Sequence, residues 1–141
     1  MPNEITLDGN LIIQIASRRR LRKDLKSNPV IIQAAANSRH FTVPAGFTLT
    51  VNSVTLSDGN PGDAGGSILA SGGSVVVSNA IFKDNVGTTG GAIETEKDGA
   101  NNEPSLTIVS STFENNEGSE GGAINAKAGV FNVQSSVFNN N

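Results

Sequence analysis

Cysteine, tryptophan and tyrosine are absent from this 141-residue chain, and histidine occurs once, at His40. The missing cysteine removes any disulfide framework, thiolate nucleophile or cysteine-based zinc site. A single histidine removes the usual histidine-rich metal cages. No apolar run approaches the roughly 20 residues that carry a helix across a bilayer. The opening Met1–Asn10 is neither basic nor apolar enough to read as a secretion signal. Charged residues make up only 16% of the chain, below the usual quarter, and six phenylalanines are its only aromatics. These shortages exclude most cofactor enzymes, and neither a cofactor nor a metal is expected. The length fits one domain with one core.

The net charge of -3 is unevenly spread. Residues 1–39 hold seven Lys/Arg against three Asp/Glu, whereas residues 40–141 hold three against ten. Six of the basic residues lie in Arg18–Lys26. Such a cluster can hold anionic polymers, but no aromatic interleaves it and the acidic remainder repels nucleic acid. It reads as a solvated segment, and no nucleic-acid binding is expected. Leu21 and Leu25 at i, i+4 spacing, stopped by Asn28-Pro29, suggest a short helix over residues 16–28 that caps the first coil.

What the chain has is a repeat. Gly65-Gly66-Ser67-Ile68 recurs as Gly90-Gly91-Ala92-Ile93 and as Gly121-Gly122-Ala123-Ile124. Between these copies runs a second motif: Phe82-Lys83-Asp84-Asn85, Phe113-Glu114-Asn115-Asn116 and Phe138-Asn139-Asn140-Asn141. The phenylalanines are 31 and then 25 residues apart, and the six extra residues belong to a polar insertion around Lys97–Pro104. A Pro-terminated polar stretch is loop chemistry. Ahead of each Phe motif the residues alternate: Val75 and Val77 align with Leu106 and Ile108, and with Phe131 and Val133. That period puts one set of side chains inward and the next outward. A degenerate copy runs through Leu49, Val51 and Leu56, with Phe41-Thr42-Val43-Pro44 in place of the glycine pair. Upstream, Ile5–Leu7, Leu11–Ile15 and Val30–Ile32 read as strands without an assignable register.

A period near 25 with short strands and Gly/Asn corners predicts a solenoid, since one such unit cannot bury its own apolar face. The expected fold is all-β, a parallel β-helix of about four to five coils. Ile68, Ile93 and Ile124 form one internal column, Phe82, Phe113 and Phe138 another, and Asn85, Asn116 and Asn141 a third whose amides bond along the stack. Glycine and asparagine supply left-handed backbone at the corners. Residues 1–37 are expected to form a cap or first coil and residues 38–141 the repeats.

Three ordered alternations of GGAI (GGSI in the first copy) and FxxN resemble the repeat of chlamydial polymorphic outer membrane proteins. The resemblance covers about residues 65–141 and, more weakly, 38–64, where Ser38-Arg39-His40-Phe41-Thr42-Val43 looks like the lead-in to such a stack; it does not cover the basic segment. It implies a right-handed parallel β-helix at the cell surface or outside the cell, in a region used for adhesion to a protein or glycan ligand. Full-length members carry an export signal and a translocator barrel. Their absence, and a sequence that stops at Asn141 directly after a motif, predict a fragment, an incomplete gene model or a subunit capped by a partner.

Candidate chemistry is sparse. Asp84 and Glu114 occupy different offsets in their motifs and are expected not to face each other, as glycosidase carboxylates would. None of Lys83, Lys97 and Lys127 is expected in an acidic cluster at a matching coil position. His40 reads as a surface residue, and Glu94, Glu96, Asp98 and Glu103 as a solvated acidic loop. Asp58–Asp63 offers oxygens that could wrap calcium, but it lacks EF-hand spacing and reads as a glycine turn. A rank of threonines suited to ice begins at Thr48 and Thr50 without later copies. The expected function is a non-catalytic structural or adhesive module. The rivals are a carbohydrate-active or carbohydrate-binding protein of pectate-lyase-like fold and a chain that self-associates end to end.

Overall fold

The computed structural model describes residues 4–14 and 30–141. The basic cluster Arg18–Lys26 and the helix expected over residues 16–28 lie outside the described residues. Among the described residues there is no helix, and therefore none long and apolar enough to cross a membrane.

The chain winds through five coils of three strands each. The first coil holds β1 (Ile5–Thr6), β2 (Leu11–Gln14) and β3 (Ile31–Gln33), and the second holds β4 (Phe41–Pro44), β5 (Thr48–Asn52) and β6 (Thr55–Ser57). The third comprises β7 (Ile68–Ser71), β8 (Ser74–Ser78) and β9 (Ile81–Lys83). The fourth comprises β10 (Ile93–Glu96), β11 (Ser105–Val109) and β12 (Thr112–Glu114), and the fifth β13 (Ile124–Ala126), β14 (Val130–Gln134) and β15 (Val137–Asn139). Each strand pairs in parallel with its counterpart one coil away, giving three five-stranded sheets ordered β1-β4-β7-β10-β13, β2-β5-β8-β11-β14 and β3-β6-β9-β12-β15. This is a parallel β-helix.

Alternation within each strand makes the core. The inward residues align as Ile5–Phe41–Ile68–Ile93–Ile124 in the first sheet and Leu11–Leu49–Val75–Leu106–Phe131 in the second. In the third the column is Ile32–Leu56–Phe82–Phe113–Phe138. Leu49, Leu56, Ile68, Phe82, Ile93, Ile108 and Phe113 are fully buried. At about 1.5–3 kcal/mol for each buried apolar side chain, this continuous interior is the main favourable contribution to the fold. The rings of Phe82, Phe113 and Phe138 lie face to face with centroids 4.8 and 4.9 Å apart. That separation is the strand spacing itself, so the sheet sets the stack and the rings follow it.

The register also locates the first two coils. Because Phe41 pairs with Ile68, the residues facing Gly65-Gly66-Ser67 are Ser38-Arg39-His40, and not the Phe41–Pro44 strand that the sequence suggested. Left-handed backbone falls beside the ladder asparagines and not on them: Asp58, Asp84, Asn115 and Asn140 have φ of 61°, 54°, 54° and 51°. Of each glycine pair, the first member takes positive φ (65°, 58° and 59° at Gly65, Gly90 and Gly121). The second is needed for a different reason. A Cβ on Gly91 would sit 1.9 Å from the carbonyl oxygen of Gly122, so only a bare backbone lets adjacent turns close.

Candidate functional site

The polar side chains that could carry chemistry are largely engaged in holding coils together. Asparagine forms the central ladder. The N–H groups of Gly59, Asn85 and Asn116 donate to Oδ1 of Asn85, Asn116 and Asn141 at 2.9, 3.2 and 3.1 Å. The side-chain Nδ2 of Asn85 and Asn116 donates to the next Oδ1 at 2.9 and 2.8 Å. The same nitrogens, with that of Asn141, also donate to the carbonyls of Leu56, Phe82 and Phe113 at 3.2, 3.1 and 3.0 Å. The side-chain amides of Asn85 and Asn116 are therefore fully engaged in a buried, low-dielectric setting, where an unpaired one would be costly. A shorter ladder follows the same rule: Ala80 N–H donates to Ser111 Oγ, and Ser111 N–H to Ser136 Oγ, at 3.2 and 3.1 Å.

Ser38-Arg39-His40 replaces the glycine turn with a buried polar cluster. The Arg39 guanidinium donates from Nε to Glu4 at 2.7 Å, from Nη1 to the Ala64 carbonyl at 2.6 Å, and from Nη2 to Asp63. It ties the first three coils together, and it engages Asp63, the last carboxylate of the segment weighed above for calcium. His40, expected at the surface, is buried. Its Nε2 is 2.9 Å from the Ile32 carbonyl and its Nδ1 3.0 Å from Ser67 Oγ. A carbonyl only accepts, so Nε2 carries the hydrogen and Nδ1 accepts from the serine. Burial lowers the His40 pKa, with the Ile32 carbonyl and the charge of Asp58 opposing the shift. A serine beside a neutral imidazole has the atoms of a nucleophile–base pair. Ser67 is fully buried, however, so no substrate reaches it, and the pair acts as a bolt between coils.

Two lysines sit among carboxylates, contrary to the sequence expectation. Lys83 Nζ lies 3.8 Å from Asp84 and 3.7 Å from Glu114, because Lys83 and Glu114 are register partners on the outer face of the third sheet. All three are solvent-accessible, and such exposed pairs contribute little. Glu94 is the larger surprise. It belongs to no solvated loop: it stands on the outer face of β10 with no exposed surface. Its Oε2 accepts from Asn125 Nδ2 at 3.1 Å and its Oε1 lies 2.5 Å from Lys127 Nζ. The hydrogen bond to Glu94 raises the Lys127 pKa. Outward strand positions are normally wet, and nothing in the alternation marks this one as covered. The only sequence signal is a lysine, Lys127, two residues beyond Asn125, the equivalent position one coil later.

Among the described residues, two further surfaces bear on binding. The insertion between β10 and β11 is exposed at residues 97 and 99–103, yet it is pinned. Asp98 accepts from the N–H groups of Ala100 and Asn102 at 3.0 and 2.8 Å and from Asn102 Nδ2 at 2.8 Å. Lys97 pairs with Glu103 at 2.6 Å. The outer face of β5, β8 and β11 carries no charge: Thr50, Val76 and Thr107 form one rank, and Thr48, Ser74 and Ser105 another. Hydroxyls therefore continue from Thr48 into later coils as serine, with Ser105 Oγ bonded to Ser74 Oγ at 2.9 Å. Among the described residues, no group of three His, Cys, Asp or Glu is arranged to hold a metal. No protein-family model, no curated protein and no solved structure matches this chain.

Proposed function

We propose that this chain is a non-catalytic structural or adhesive module, displayed at a cell surface in the manner of the polymorphic outer membrane proteins whose repeat it resembles. The observation that carries the reading is the pinned loop of residues 97–104. A surface loop normally loses conformational freedom on binding, whereas one already fixed by Asp98 and the Lys97–Glu103 pair loses less, which favours recognition. The stack beneath it supplies a rigid mount, because its polar groups are spent between coils. The fifth coil makes the same connection with six fewer residues, so the natural test is to replace residues 97–104 by Ala-Gly. The altered chain should melt within a few degrees of the parent and lose retention on immobilised extracellular-matrix proteins and on a glycan array. Unchanged retention would refute the loop's role.

A carbohydrate-active alternative draws support from one feature, the placement of Lys83 between Asp84 and Glu114 on an open face. Turnover of a polysaccharide panel that is lost in Lys83→Ala would establish it in place of the adhesive reading.

A further inference from the structure

The second sheet presents an outer side face unlike the rest of the molecule. To the ranks of Thr50, Val76, Thr107 and of Thr48, Ser74, Ser105 the register adds a third, Asn52, Ser78 and Val109. No charged residue stands at an outward position of this sheet, from Ile12 in the first coil to Asn132 in the fifth. Charge is confined to its neighbours, with Glu94 and Glu96 on the first sheet and Lys83 and Glu114 on the third. The face also lacks the tyrosine, tryptophan and arginine that dominate protein–protein contacts. It has no basic cluster for an anionic polymer or membrane, and no aromatic platform for a ring to stack on.

What it has is order. The nine positions of the three central strands carry six hydroxyls, two valines and one asparagine. β5, β8 and β11 pair residue for residue at all five positions without a bulge, so like groups recur about every 4.8 Å along the stack. Threonine and valine are stiff at χ1, and Ser105 Oγ is bonded to Ser74 Oγ at 2.9 Å, which holds these groups in place. The serine ladder through Ser111, at the adjoining corner, is the kind of device that keeps a sheet flat over several strands.

A rigid, uncharged array of hydroxyls and methyls is complementary to solid water. Ice is neutral, and each of its molecules is tetrahedrally hydrogen-bonded. With O–H···O contacts of about 2.75 Å, tetrahedral bonding sets next-nearest oxygens about 4.5 Å apart. The coil repeat exceeds this by about 0.3 Å, or about 0.6 Å over the two steps from Thr48 to Ser105, which hydroxyl rotation absorbs. A hydroxyl donates and accepts, as a lattice water does. The threonine methyls and Val76 order water without competing for its hydrogen bonds. A charged group would have to be stripped of its own hydration to join the lattice.

We propose that the outer face of β5, β8 and β11 binds the surface of ice crystals. Thr48 and Thr50, an isolated pair in the sequence, are continued there by Ser74, Ser105 and Thr107, which the register brings into line. The adhesive reading uses a different surface, the loop of residues 97–104, so either can fail without the other.

The test freezes the full chain slowly from dilute buffer and measures its partition into ice, together with the coarsening of polycrystalline ice held just below melting. The parent should enter the ice and arrest coarsening, whereas a globular protein of similar size without such a face is expelled. Val76→Lys and Thr107→Lys each set an ammonium in the middle rank and should raise the concentration needed for arrest at least about tenfold. Ser71→Lys adds the same charge on the first sheet and should leave it unchanged. All three positions point outward, so each variant should melt within a few degrees of the parent; if one face variant melts early, the other carries the comparison. Exclusion of the parent from ice would overturn the proposal. Undiminished potency in the face variants, or an equal loss in Ser71→Lys, would overturn the assignment to this face. Retention on crystalline cellulose that Val76→Lys abolishes, with no effect on ice, would give the face to a neutral polysaccharide instead.

Discussion

Asn116→Ala should be among the most damaging single substitutions available in this chain that leave the backbone unstrained. Asn116 is buried at the centre of the ladder, accepting from the N–H and Nδ2 of Asn85 and donating to the Phe82 carbonyl and to Asn141 Oδ1. Truncation removes all four bonds and leaves two donors and two acceptors facing a small void. A typical hydrogen bond contributes about 1 kcal/mol net, while a buried group stripped of its partner costs about 1–3 kcal/mol. The losses are not additive because the four groups share one site, and a cost of about 3–5 kcal/mol follows. The assay is equilibrium urea unfolding followed by circular dichroism, with the slope required to match the parent so that the midpoint shift reports stability. Hydrogen exchange should show the Asn85 amide losing protection while that of Ile13, far along the stack, keeps it. Combining Asn116→Ala with Asn85→Ala should cost less than the sum of the two by about 1–2 kcal/mol, since they share bonds. A cost below about 1 kcal/mol for Asn116→Ala would refute the claim that the amides hold the coils together.

Gly91→Ala places a Cβ 1.9 Å from the Gly122 carbonyl and should cost more than about 4 kcal/mol, visible as loss of cooperative unfolding. The pH dependence follows from His40, whose pKa burial lowers from 6.5. As pH falls below about 6.5 the unfolded chain takes up a proton first, so stability present above that value is lost progressively towards the lower folded-state pKa. Thermal melts at pH 7.5 and 5.5 should therefore diverge for the parent and converge for His40→Gln; equal divergence in both would contradict the assignment. Lys127→Met strips the buried Glu94 carboxylate of its cation and should cost about 1–3 kcal/mol, with Glu94→Gln added to it restoring most of the loss in urea melts.

The later coils are legible in the sequence because each carries the same markers at the same offsets. Phe82, Phe113 and Phe138, and the glycine pairs before Ile68, Ile93 and Ile124, fix the register without reference to coordinates, and the alternation of Leu106 and Ile108 says which side faces in. Nothing comparable marks the first coil. Ile5, Leu11 and Ile32 sit in its columns, but Ala35 fills the asparagine slot, and in the second coil Ser38-Arg39 stands where the glycines would be. A buried arginine with three partners does the work of a tight turn there, and charge at such a position reads as surface until its partners, Glu4 and Asp63, are seen to converge from other coils. Glu94 was illegible for a related reason. Its burial depends on Asn125 and Lys127 one coil away, and period-2 patterning describes a strand's own two faces, not what a neighbouring coil lays across them.

The in-register stacking of coils is best tested by cysteine pairs, since the chain has none of its own. Ser74 and Ser105 are register partners with their hydroxyls 2.9 Å apart, so S74C/S105C should oxidise to an intramolecular disulfide under mild conditions, at separations of about 4.4–6.8 Å between Cα atoms. The offset pair S74C/T107C, two residues further along, should remain as free thiols. Efficient closure of the offset pair, or failure of the aligned one in a folded chain, would contradict the ladder from which every other conclusion here is built.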